Sequence, residues 1–384
     1  MPEKDLYDDL CRFYEFMLGP LPKRAEFKRA LQDTVTPDEL RVFFLVPFTG
    51  HVSQEKLIRR ARVPAEELLA RLDRLASEGL IMAYTQRGET VYERGNPVFM
   101  TEQQVRKPED TLRRAFYARF FNSILKGETA IAAPTKTPYY RVLPVQATVT
   151  GAGDPAVIPV GVEVPDPRQV LPIDVVSDMI RRDAHLIGVA DCYCRRTRRL
   201  LGEGCEYPLE TCLVFNKGAE TLIEHGTARR ITYEEAMHII RESEELGLVH
   251  NVDNCEGEIG SVCNCCPCCS VLLTTWNRGM TNADSPSRYQ VAFAVERCVL
   301  CQACVARCPT NARCVQSRQM AIDLNRCLGC GLCVTACAQG ANSMVLRDRQ
   351  APLPRTNDDL YRKISREAIA GMAAAKLRAL VGRS

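Results

Sequence analysis

Nineteen of the chain's 20 cysteines fall between Cys192 and Cys337, within 384 residues. Thiols packed so densely into one stretch belong either to metal sites or to disulfides. A disulfide-stapled secreted domain is small and carries cysteines throughout, whereas here Cys11 stands alone ahead of Cys192. The opening MPEKDLYDDLCRFYEF places acidic residues where a signal peptide needs a basic start and an apolar core. No apolar run approaches the ~18 residues of a membrane span. The expectation is a cytoplasmic chain with no membrane segment, whose thiols are reduced and bind metal. Composition adds two exclusions. With 46% hydrophobic and 25% charged residues the chain can bury real cores and is neither disordered nor fibrous. A net charge of +3, from 50 basic against 47 acidic residues, advertises no nucleic-acid or membrane partner. The length suggests two to four domains.

The clearest pattern is a pair of near-identical runs. Cys298-x2-Cys301-x2-Cys304-x3-Cys308-Pro309 is followed by Cys327-x2-Cys330-x2-Cys333-x3-Cys337, with Ala338 where a proline often follows. The spacing C-x2-C-x2-C wraps three thiolates around three irons of one cube and leaves the fourth iron to a distant cysteine. The runs resemble the bacterial two-[4Fe–4S] ferredoxin. That resemblance implies crossed ligation: Cys298, Cys301, Cys304 and Cys337 on one cluster, Cys327, Cys330, Cys333 and Cys308 on the other. Zinc is the lesser alternative, since its sites take four ligands in two pairs. Cys314, between the runs, reads as a packed thiol. Eight arginines (288, 297, 307, 313, 318, 326, 347, 349) face three acidic residues in 286–350. They offset anionic clusters and favour a redox partner protein with an acidic docking surface.

Ten cysteines remain in the middle of the chain as candidate metal ligands: Cys192, Cys194, Cys205 and Cys212, then Cys255, Cys263, Cys265, Cys266, Cys268 and Cys269. Their spacing matches neither the ferredoxin run nor a common zinc finger. Arg195, Arg196, Arg198 and Arg199 would lower thiol pKa and balance an anionic site. Pro267 fits the first position of a helix running toward Trp276. On such a helix Cys265 and Cys266 diverge, so adjacent cysteines serve two sites, or a cluster and a substrate. One or two further iron–sulfur clusters, a zinc site, or a redox-active thiol pair all stay open. His185, His225 and His250 read as ordinary surface or core histidines, while Asn251 and Asn254 could donate to sulfur.

Upstream, residues 36–95 read helix, helix, helix, hairpin. Thr36-Pro37-Asp38-Glu39 caps the first helix and Ser53 the second. Leu68, Leu69, Leu72 and Leu75 pattern the third, and a hairpin turns at 86–89. The order resembles a winged helix-turn-helix. Yet residues 52–80 carry a net charge of only +1, and the third helix is more acidic than basic; a groove-binding helix normally presents positive charge. A contact module therefore outranks DNA binding. Runs at Tyr140–Thr150 and Val157–Val164 read as strands, Ile173–Arg182 as a helix, His185–Ala190 as a buried strand. Thr232 and Glu235 start a helix to Leu246, and Gly247–Val252 reads as a further strand.

The expected fold is multidomain α+β. A helical region (1–130) contains a winged-helix-like N-terminal domain, and a small α/β Cys-rich middle domain (131–285) follows. A ferredoxin-type two-cluster domain (286–350) and a C-terminal helical tail (351–384) complete it. The whole arrangement, with D-C-Y-C-R-R, G-C-E-Y-P-L-E-T-C and C-N-C-C-P-C-C, resembles a family of ferredoxin-fused iron–sulfur proteins of anaerobes. The function expected is single-electron transfer between the ferredoxin domain and the middle-domain metal site, to or from a partner oxidoreductase. Two alternatives are a ferredoxin-fused reductase with a catalytic cluster or thiolate at Cys263–Cys269, and a redox-responsive DNA-binding regulator. No nucleotide-binding signature is present.

Overall fold

Short helices with good caps build the first module. In the computed structural model, all residues are described except 1–4, 19–20, 22, 48–49, 96, 108–110, 126–134, 151–170, 172–173, 258, 281–283, 350–351 and 382–384. Helices Leu6–Leu18 and Arg24–Thr34 precede helix Pro37–Phe43. There Thr36 and Glu39 exchange both hydrogen bonds of a capping box (3.3 and 2.7 Å). Strand β1 (His51–Ser53), helix Gln54–Arg60, helix Ala65–Ser77 and strands β2 (Ile81–Gln86) and β3 (Glu89–Arg94) follow. The sheet order is β1-β3-β2. Arg87 and Gly88 both have positive φ (53° and 80°), as a two-residue hairpin turn requires. Leu68, Leu72 and Leu75 are fully buried, and two more helices, Pro97–Arg106 and Thr111–Leu125, close the same core. At three residues, β1 is too short to show alternation in sequence.

The middle of the chain forms one seven-stranded sheet. In chain order its strands are β4 (Tyr140–Leu143), β5 (Ile187–Asp191), β6 (Glu210–Phe215), β7 (Arg229–Arg230), β8 (Val249–Asp253), β9 (Ser261–Cys265) and β10 (Asp284–Ser285). Their spatial order is β10-β4-β8-β9-β6-β5-β7. Every neighbouring pair is antiparallel except β10–β4. The expected helix–strand alternation is present in chain order, but apart from β10–β4 the strands pair antiparallel, so the middle domain is not built on the parallel sheet typical of α/β folds. The run from Tyr140 is strand only to Leu143, because Pro144 cannot donate to the ladder; Ala147–Thr150 turns into a helix. The helix expected at Ile173–Arg182 occupies Val176–Asp183. Val157–Val164 lies outside the described residues. Thr232 caps helix Tyr233–Leu246, and Gly247, at φ 81°, ends it.

The alternation of side chains decides where the thiols go. Leu143, Val252, Val262 and Leu213 face the helices Val176–Asp183 and Tyr233–Leu246. Their neighbours Val142, Cys263 and Cys265 face the opposite side, with helix Val271–Asn277, and Cys212 joins the core of the first module.

Residues 289–346 form a compact last module. Strand β11 (Tyr289–Phe293) pairs with β14 (Asn342–Leu346), and β12 (Arg313–Gln316) with β13 (Gln319–Ile322), both antiparallel. Two one-turn helices, Ala303–Ala306 and Leu332–Thr335, each follow a cysteine loop. Helix Asn357–Val381 then folds back on the middle sheet, where Glu367 accepts from Thr137 N–H (2.8 Å) and Oγ1 (2.7 Å).

Asp284 is fully buried beside β4, with Oδ2 accepting from Asn251 Nδ2 (3.0 Å) and Oδ1 unpartnered. Desolvation holds its pKa well above the usual carboxylate range. The folded state therefore keeps a proton that the unfolded chain releases above about pH 4, so this residue's contribution falls as pH rises toward its folded pKa. Asp284→Asn should raise the thermal midpoint at pH 8 by about 2–4 °C. That advantage should shrink as pH falls to 5.5. Scans at several pH values that show a constant difference would exclude this origin.

Candidate metal centres

The two ferredoxin-like runs enclose two cavities. One is lined by Cys308, Cys327, Cys330 and Cys333. The other is lined by Cys298, Cys301, Cys304 and Cys337. Each thus takes three thiols from one run and the fourth from the other. The donor chemistry fits a cubane: Ala312 N–H points at Cys308 Sγ and Ala341 N–H at Cys337 Sγ, each at 3.3 Å. Arg313, anchored on Asn342 Oδ1 (2.8 Å), donates to Cys304 Sγ at 3.5 Å. Burial pushes the Cys333 thiol up to about 12 and that of Cys330 upward as well, so the proton stays on until a metal replaces it.

The loops share one geometry but not one residue set. Leu300 and Gln302 in the first run, Gly329 and Gly331 in the second, all have positive φ (55°, 64°, 69°, 78°). The difference is room. A Cβ on Gly329 would lie 2.0 Å from Tyr289 O, and one on Gly331 would lie 2.7 Å from Thr148 Oγ1. The second run is pressed against the rest of the protein, and Val145 N–H donates to Cys330 O (2.9 Å). The first run faces water: Cys301 is exposed, as are Val295 and Val299. One cavity is proximal to the middle sheet and the other distal.

Nine of the ten middle cysteines fall into two groups. Cys192, Cys194, Cys212, Cys263 and Cys265 form a chain of sulfur contacts: Cys194 and Cys212 on Cys192, Cys263 on Cys212, Cys265 on Cys263. Cys194 and Cys212 hydrogen-bond to Cys192 and hold its pKa well below the ordinary thiol value, with the Arg195 charge adding to the effect. The same contacts push Cys194, Cys212 and Cys263 upward, so one thiolate is shared among several thiols. Cys205, Cys266, Cys268 and Cys269 form the second group, with all four Sγ atoms within 4.8 Å of one another. Here hydrogen bonds from Cys266 and Cys269 bring Cys268 down to about 4.

Arg195 stands between the groups. It is fully buried, donates through Nη2 to Thr211 Oγ1 and to Asn264 O (3.1 Å), and leaves Nε and Nη1 without partners. Burial opposes its charge, but the nearby sulfurs of Cys192, Cys266, Cys212 and Cys265 hold its pKa above the ordinary value. Two orphaned donors beside five thiols fit an acceptor-rich, anionic occupant.

The other arginines of the expected basic run do different work. Arg196 binds Asp191 and Val105 O, Arg198 binds Glu203, and Arg199 clasps Cys205 O (2.8 Å) and Tyr207 O (2.7 Å). Cys255 is apart from both groups. It donates to Asn357 Oδ1 (3.4 Å), and burial raises it to about 12. Cys314 is exposed rather than packed, because strand β12 lies at the outer edge of its module. Asn251 and Asn254 donate to Asp284 and Pro138 O, not to sulfur. The Asn264 side chain likewise bonds away from sulfur, its Oδ1 paired with His250 Nδ1 (2.6 Å) and its Nδ2 donating to Thr211 O (2.8 Å). The helix after Pro267 starts at Val271, because 267–269 form a turn.

A family model described as a 4Fe-4S dicluster domain matches residues 297–341. The chain therefore carries a ferredoxin-type iron–sulfur domain near its C-terminus. No curated protein and no solved structure matches the chain. Among the described residues, no helix is long and apolar enough to cross a membrane.

The difference between the two runs is measurable. Gly329→Ala should lower iron by about four atoms per chain through loss of the proximal cluster. Leu300→Gly should leave iron unchanged, since a glycine meets that φ without strain. Equal iron contents in the two variants would show that the close approach at Gly329 is unimportant.

Proposed function

We propose that the protein is an iron–sulfur electron carrier whose ferredoxin-type domain exchanges single electrons with the buried five-thiol centre of the middle domain. One observation carries the reading. Cys330 of the proximal cavity, with Leu328 and Leu332, packs in the same apolar cluster as Cys263, Cys265, Leu272, Leu273 and Trp276. Continuous close packing between two sets of ligands is the medium that short-range electron tunnelling needs, and it excludes water from the path. When bound, iron–sulfur clusters supply one-electron chemistry whose potential follows burial, charge and hydrogen bonds to sulfur. The chain provides those settings. Arg313 and two backbone N–H groups reach the ferredoxin sulfurs, and Arg195 offers two free donors at the inner centre.

The distal end is the port for an external redox partner, since its ligand Cys301 is exposed, with Val295 and Val299 exposed nearby. Six of the eight arginines are engaged within the fold: Arg288 with Asp174, Arg313 with Asn342, and Arg297, Arg307, Arg326 and Arg347 with backbone carbonyls. A partner therefore meets a more apolar surface here than the arginine count suggests. The N-terminal module, read as winged-helix-like, acts as a brace. Its hairpin is fixed to helix Asn216–Glu224 through Thr85 with Glu220 (2.7 Å), Ala83 O with Thr221 (2.7 Å) and Glu93 with Lys217 (3.1 Å). Glu66, Glu67 and Asp73 are exposed on its third helix, which suits a contact role better than a DNA groove.

Electron paramagnetic resonance of the fully reduced protein tests the reading. The wild type should show a signal split by magnetic coupling between the proximal cluster and the inner centre. Replacing Cys212 and Cys263 by serine should reduce the splitting to that between the two ferredoxin clusters and remove about four irons while the ferredoxin iron stays. Identical spectra from both proteins would overturn the internal exchange.

A further inference from the structure

We infer that Cys205, Cys266, Cys268 and Cys269 hold a single tetrahedral thiophilic ion, zinc or iron, rather than a cluster. The inference stands apart from the electron-transfer reading, which uses the other thiol group.

Size decides it. Metal–sulfur bonds of ~2.3 Å arranged tetrahedrally set sulfurs about 3.8 Å apart. The cubane of a [4Fe–4S] cluster spreads its four thiolates to roughly 6 Å. All four sulfurs here lie within 4.8 Å of each other, and Cys269 and Cys205 are 3.6 Å apart.

Local construction agrees. Cys266, Cys268 and Cys269 come from one tight turn after β9, too short to wrap a cube but suited to three corners of a small tetrahedron. The fourth corner, Cys205, comes from the loop 201–209, in which no residue is buried. That loop touches core only at its margins, through Leu201 on one side and Cys205 and Tyr207 against Leu248 on the other. Gly204 lies so close to Arg199 that a Cβ there would be 2.9 Å from its Cα, and Arg199 in turn clasps the carbonyls of Cys205 and Tyr207. The loop is thus shaped to deliver Cys205, and an ion is the cross-link that fixes it to the turn. Cys268, the exposed ligand, leaves the ion reachable from solvent.

The test uses the full chain, purified without oxygen, with zinc, iron and acid-labile sulfide counted per chain. The wild type should hold one zinc, or one iron in excess of sulfide. X-ray absorption at that metal should show sulfur neighbours at about 2.3 Å. Cys268→Ser and Cys205→Ser should each lose one metal equivalent and no sulfide, with the ferredoxin signal intact as the check on folding. A zinc edge identifies zinc, and a high-spin ferric signal on oxidation identifies iron; either supports the site. Loss of four irons with four sulfides, or unchanged metal in both variants, would overturn it. The wild-type counts need no variant: iron equal to sulfide with no zinc overturns the site even if both variants misfold.

Discussion

A guanidinium with no access to water sets the terms for the middle of this protein. Arg195 is enclosed between two groups of thiols, and a buried cation is tolerated only where negative charge or acceptors surround it. Thr211 and Asn264 satisfy one nitrogen; sulfur has to satisfy the rest. The sheet, the helix Tyr193–Leu200 that carries Arg195, and the turn that carries Cys266 are therefore held together by chemistry that is complete only when the sulfurs are anionic. Folding and metal loading become one process here, as they are in small metal-stabilised domains.

The ferredoxin-type module is a near-repeat in sequence and an unequal pair in space. Its two cysteine loops have the same backbone conformation, yet one is built with leucine and glutamine and the other with two glycines. The cause is the neighbour. One loop looks outward, while the other lies against Val145, Thr148 and Tyr289. Arg307 strengthens the same junction by donating to the carbonyls of Glu244 and Glu245 at the end of a middle-domain helix. A symmetric electron carrier has in this way acquired an inside and an outside.

Much of this could be read from the residues in order. Cysteine spacing located the ferredoxin-type domain because its ligands are close in sequence, and capping residues located helices Pro37–Phe43 and Tyr233–Leu246. The division of Cys265 from Cys266 was also legible, but for the wrong element: a strand passing into a turn separates them, not a helix. What sequence could not show was assembly across distance. Cys212 meets Cys263 only because β6 and β9 lie side by side, and Cys192 at the end of β5 meets Cys212 only because β5 and β6 do, pairings set by the whole sheet. Cys255 has the same local credentials as its neighbours and ends beside Asn357, since the C-terminal helix returns over that edge. Four adjacent arginines look equivalent on paper, and only the helix decides that one of them points inward.

The outermost strands of the seven-stranded sheet are its shortest. β7 and β10 have two residues each, so neither side offers a length of free backbone on which another chain could add a strand. For most proteins this is a modest safeguard. A chain that must be supplied with iron and sulfide after synthesis spends time with its thiols protonated and its centres unbuilt. Blunt sheet edges let it wait in that condition without strand-to-strand polymerisation, which keeps each unloaded chain open to cofactor delivery.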